Sequence, residues 1–130
     1  MTSDLLKDFE TYFREQNLLG KYKCTYDGAQ DSPSDLIMIS EYIGSPVVSQ
    51  IEGAARSVQI LVRDKQDNTE KARAKAHELF RSLKTEDAVV QLTPYRWGVV
   101  TLRQAPFKMR TDTSNRVYYG FNLAIVTYLD

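Results

Sequence analysis

The chain has 130 residues, 42% of them hydrophobic and 26% charged, the balance of a globular protein rather than of a disordered chain. Lys+Arg and Asp+Glu both number 17, which removes the basic excess expected of a nucleic-acid binder. A single cysteine, Cys24, excludes an intramolecular disulfide and points to a reducing compartment.

No apolar run approaches the ~20 residues of a helical membrane span. The start, Met1-Thr2-Ser3-Asp4, lacks the basic and apolar character of a secretory leader. Ser3 is placed to cap a first helix over about residues 4–16. There Leu5, Leu6, Phe9, Tyr12 and Phe13 form an apolar stripe, and Asp4 and Asp8 sit near the positive end. Lys21 to Tyr26 sets Lys21, Lys23 and Thr25 against Tyr22, Cys24 and Tyr26, the pattern of a short edge strand whose lysines discourage stray pairing. Asp27 to Ser34 is a loop of turn formers. The run Leu36-Ile37-Met38-Ile39 then reads as a central strand covered on both faces at its start. Gly44-Ser45-Pro46 predicts a turn, and Val47 to Ala55 a loop.

The densest signal lies between Arg56 and Leu83. Val58, Ile60 and Val62 alternate with Ser57, Gln59 and Arg63, a period of two that predicts a strand covered on one side. Asp67 or Asn68 is placed to cap the helix that follows, over about residues 69–84. Ala72, Ala76, Leu79, Phe80 and Leu83 make its stripe, small residues first, so the helix can approach a sheet closely at its start. Ala88 to Leu92 and Trp97 to Arg103 predict two further strands, and Ala105-Pro106 interrupts the second. Arg116 to Leu129 predicts the longest strand, with Val117, Tyr119, Phe121, Leu123 and Ile125 on one face.

These elements predict one α+β domain over residues 1–130: a mostly antiparallel sheet with two helices packed on one face. The other face would carry Tyr118, Val126 and Tyr128, together with Val100 and Leu102, more apolar surface than water needs. That favours a subunit contact. Between the last two strands, residues 105–116 form a predicted hairpin arm longer than the usual two- to five-residue loop. Phe107 and Met109 give it apolar contacts, and Lys108, Arg110 and Arg116 give it positive charge.

Chemistry is not readable in the chain. The single histidine, His77, falls at the border of its helix stripe with no carboxylate motif or nucleophile placed to use it. Cys24 has no CxxC partner and reads as an inert thiol. One His and one Cys cannot build a zinc set, and the scattered glycines form neither a P-loop nor a dinucleotide fingerprint. No catalytic residue, cofactor or metal site is expected. Charge is the remaining signal. Arg96, Arg103, Lys108, Arg110 and Arg116 face Asp112 alone, while the first helix is acidic, so a basic pole of one subunit could attract its neighbour's acidic pole.

Three stretches carry a family resemblance: Asp35 to Pro46 with its Gly-x-Pro step; Val58 to Arg63 with the Ala-rich helix to Leu83; and Ala105 to Asp112 with Arg116 to Asn122. In this order, over residues 35–128, they resemble the small tail terminator (tail completion, or minor capsid) proteins of long-tailed bacteriophages. The resemblance implies an α+β fold and a structural, non-enzymatic role. Such proteins form a ring, typically hexameric, at the head-proximal end of the virion tail, after assembly in the host cytoplasm. The ring caps the tail tube, stops its growth and presents a surface for joining the head. Implied partners are further copies of the chain, the tail tube protein and the head–tail connector proteins, without membrane or sequence-specific nucleic acid, although the genome could pass through the ring. The arm would then engage a neighbouring subunit or the tube. Two other readings stay open: a head–tail connector (head completion) protein, and a small intracellular α+β binding domain.

Overall fold

The computed structural model describes residues 4–42 and 55–129. The first helix, α1, spans Asp4–Glu15, and its stripe is buried at Leu5, Leu6, Phe9 and Phe13. β1 (Lys23–Tyr26) and β2 (Leu36–Tyr42) follow. β3 (Arg56–Arg63) leads through a 3-10 turn, Gln66–Asn68, into α2 (Thr69–Leu83). β4 (Val89–Thr93), β5 (Arg96–Leu102), β6 (Phe107–Thr111) and β7 (Val117–Leu129) complete the chain. The predicted turn at Gly44–Pro46, the loop to residue 54 and the Ser3 cap lie outside the described residues.

All seven strands form one sheet in the order β1-β2-β3-β7-β5-β4, with β6 also paired to β7. Only β1 and β2 run parallel; the other pairs are antiparallel. The α+β expectation holds, with both helices on the same face of a mostly antiparallel sheet. α2 crosses the middle of the sheet, over β3 and β7, while α1 touches β1 and β2 near one edge and β4 at the other. The sheet therefore curls around α1. Tyr12 Oη donates to the Ser82 carbonyl at 2.6 Å and ties the helices together. Between the layers lies one core, in which Ile37, Ile39, Val58, Ile60, Val62, Phe121, Leu123 and Ile125 meet the two helix stripes. Phe80 packs edge-on against Phe121, ring centroids 5.3 Å apart. Gly120 sits where β3 presses on β7. A methyl group there would strike the Ile60 carbonyl oxygen and come within 2.5 Å of Leu61 Cδ2.

Several expectations are corrected. The stretch 105–116 is not a long loop: Phe107–Thr111 pairs along β7, continuing the line of β5 past a break at residues 103–106. The true turn is residues 112–116, where the Asp112 carboxylate accepts from the amides of Ser114 and Arg116. Val100 and Leu102 belong to the helix-side core, not to the outer face; the inner set in β5 is the one in phase with Leu123 and Ile125 across the pair. Asn68 makes no capping bond, because its amide donates instead to Asp64 Oδ1 at 3.2 Å. Arg63, expected on an exposed face, is 1% exposed.

Candidate assembly surface

The outer face of the sheet divides into three zones, each set by register. At the β6 end, Leu36 and Met38 of β2 and Tyr118 of β7 form a small second cluster, against which Leu61 and Met109 pack. A strap, residues 27–35, runs over this end. Arg63, brought opposite Tyr118 by the β3–β7 register, holds the strap from below. Its guanidinium donates to the carbonyls of Gln30 (2.6 Å), Pro33 (2.7 Å) and Ser34 (2.9 Å) and to Tyr118 Oη (3.0 Å). A planar fork with five donors suits several acceptors at once. Tyr118 Oη passes the network on to Asp112 Oδ2 at 3.1 Å. Arg116 donates to Asp112 Oδ2 at 2.9 Å, and to the Asp31 carbonyl and carboxylate at 2.7 and 3.0 Å. Strap, turn and sheet are thereby locked into one lobe.

The middle of the face is neutral and amide-rich. Gln59 Nε2 donates to Asn122 Oδ1 at 3.1 Å, and Asn122 Nδ2 to Gln104 Oε1 at 3.4 Å. At the far end the face is aromatic. Trp97 and Tyr128, paired across β5 and β7, stack with ring centroids 4.4 Å apart. Val99 and Val126 form the next cross-strand pair, with Val89 beside Val99. Val89, Val99 and Tyr128 are each more than a third exposed, and Tyr95 at the β4–β5 turn is 74% exposed.

The residues expected at an interface thus part company. Tyr118 and Arg116 are buried and serve the lobe, so neither presents a surface. Arg110 lies exposed above the Tyr118 ring, its guanidinium carbon 4.1 Å from the ring centre. Met109 is half-buried, and Phe107 and Lys108 are exposed on β6. Val126 is half-buried and Tyr128 exposed at the opposite end of the same face. The structure therefore forms two separate candidate contacts, β6 and the Trp97–Tyr128 patch. Trp97 was missed from sequence, although its alternation with Val99 and Thr101 marks it as facing with them.

The basic-pole reading is also corrected. Arg96 is buried and meets Asp8 of α1 within the same chain, Nε to Oδ2 2.6 Å. Acidic helix and basic hairpin are in part each other's partners. Among the described residues, Arg103, Lys108 and Arg110 have no carboxylate partner.

His77 lies half-buried on α2 near Glu70, Arg73 and Arg81. Cys24 sits by a cleft with Glu10, Arg14 and Tyr22; burial first, then the Glu10 charge, pushes its thiol up to about 12. Among the described residues no group of His, Cys, Asp and Glu is arranged to hold a metal ion.

The family model described as bacteriophage tail terminator protein matches residues 15–129. The chain belongs to the bacteriophage tail terminator family. The match takes in the whole sheet and α2 and begins at the last residue of α1. It makes the protein a phage tail component, and both candidate contacts fall within the matched residues. No curated protein matches the chain.

Proposed function

We infer that this tail terminator assembles as a ring, a hexamer by family resemblance, on the head-proximal end of the tail tube. There it stops tube growth and offers a surface to the head connector. The observation that carries this reading is the family match over residues 15–129. The Trp97–Tyr128 patch supports it: an aromatic stack flanked by valines on an uncharged sheet face is surface suited to another protein rather than to water. The role is structural, resting on assembled geometry, with the chain joining the tail after the tube is laid down.

The test is elongation of tail tubes in vitro. Added protein should halt growth, and negative-stain images should show a ring at one end of each tube. In a phage lacking the gene, tails should lose their uniform length and fail to join heads. Tubes that keep growing in excess protein, or protein spread along their whole length, would overturn the reading.

A further inference from the structure

β6 is the one strand of the hairpin that ends a row without burying its side chains. Phe107, Lys108, Arg110 and Thr111 are exposed and Met109 is half-buried. Among the described residues it ladders with β7 alone. Its opposite side therefore presents peptide N–H and C=O groups that no described strand takes up. Arg103, Lys108 and Arg110, none of which has a carboxylate partner among the described residues, stand on this strand and the break before it. An open peptide edge recognises another extended chain through main-chain hydrogen bonds, and the flanking charge selects which chain.

We propose that the free edge of β6 receives an extended acidic segment of a different protein of the particle, added as a further strand. This rests on the reading of the chain as a tail-end component, and it names the chemistry of the partner. A second copy does not fit. Among the described residues the edge strands are β1 (Lys-Cys-Thr-Tyr), β4 (Val-Val-Gln-Leu-Thr) and β6 itself, and none contains an acid. Pairing β6 with β6 sets Lys108 and Arg110 against like charges, and pairing with β1 brings up Lys23, each unfavourable across a ladder. Nucleic acid would meet the cations but would leave the alternating N–H donors and C=O acceptors of a peptide edge unmatched. The β6 bulge between Lys108 and Arg110 and the basic side chains also guard the edge against indiscriminate pairing. Such a guard rejects neutral and basic strands and admits an acidic one.

The experiment places a photo-reactive benzoylphenylalanine at Phe107 in particles made by complementing a phage that lacks the gene. After irradiation, the adduct should map to a peptide of another virion protein with a net negative charge. An adduct on the chain's own peptides, on DNA, or none at all in particles that contain the protein, would overturn the proposal. A second variant, Arg103→Glu with Lys108→Glu, alters side chains that are exposed and unpaired. Yield of infective particles should fall at least tenfold while the circular dichroism spectrum and urea midpoint stay at wild-type values; wild-type yield refutes the edge. Tails capped at normal length without a β6 adduct would refute this proposal alone. Uncapped growth in the presence of wild-type protein would refute the function itself.

Discussion

Replacing Arg63 by methionine probes how the strap is fastened to the sheet. The side chain is 1% exposed and makes four hydrogen bonds of 3.0 Å or less, to Gln30, Pro33, Ser34 and Tyr118. A hydrogen bond is worth about 1 kcal/mol net, because the strap carbonyls can turn to water when released. The four therefore sum to ~4 kcal/mol. Relief of the buried cation's desolvation returns ~1 kcal/mol, and methionine retains much of the aliphatic stem packing. The expected loss is about 3 kcal/mol, near a 10 °C fall in Tm for a domain of this size. Arg63→Lys should lose ~2 kcal/mol, since one ammonium cannot reach carbonyls on both arms of the strap and Tyr118 together. Urea titration followed by Trp97 fluorescence and by circular dichroism reads both values, and amide exchange across residues 28–34 should quicken. If both variants stay within about 0.5 kcal/mol of wild type, the forked anchor is not what holds the strap.

Three further outcomes follow from the same physics. Asp64 is buried, which pushes its carboxyl up, but bonds from Tyr22, Lys21, the Lys65 amide and Asn68 outweigh this and hold it below the ordinary aspartate value. Its contribution is therefore present above the unfolded aspartate value and lost as pH falls through the lower folded one. Asp64→Asn should cost ~2 kcal/mol at neutral pH and flatten the acid limb of a stability–pH curve; an unchanged limb would count against it. Gly120→Ala forces a methyl onto the Ile60 carbonyl oxygen and should cost about 2–3 kcal/mol in urea unfolding; a neutral result would show that β3 and β7 can part there. Cys24, with its thiol raised to about 12, should react with iodoacetamide at pH 8 at least ~100-fold more slowly than in urea. Equal rates would mean that the thiol is not shielded.

What the sequence made legible was the set of elements with a clean period. The α1 stripe, β3 and the alanine-first stripe of α2 bury the predicted residues, Tyr12 and Phe80 only in part, because each is amphipathic over two turns or three alternations. Alternation, however, yields two sets and does not say which faces inward. In β5 both sets contain valine, and only pairing with β7 turns Val100 and Leu102 toward the helices. β6 was illegible because Phe-Lys-Met-Arg-Thr has no buried face of its own; it is a strand only by virtue of β7. Arg63 was misread because nothing local announces a cation whose partners are main-chain carbonyls roughly thirty residues earlier. Of the two candidate contacts, the tyrosine at position 128 and the basic strand residues were visible in advance, whereas the removal of Arg116 and Tyr118 into the lobe was a tertiary event.

The curl of the sheet around α1 has a kinetic consequence. α1 touches strands near both edges, and Asp8 meets Arg96, far along the chain. β4 reaches the sheet only through β5, which pairs with β7, so the far half of the α1 seat does not exist until those strands have assembled. The expected order is a nucleus of β3, β7 and α2, with α1 docking after β4 has joined. Leu5→Ala should then speed unfolding and leave the folding rate nearly unchanged, a φ-value close to zero. A value near one would put α1 in the nucleus instead.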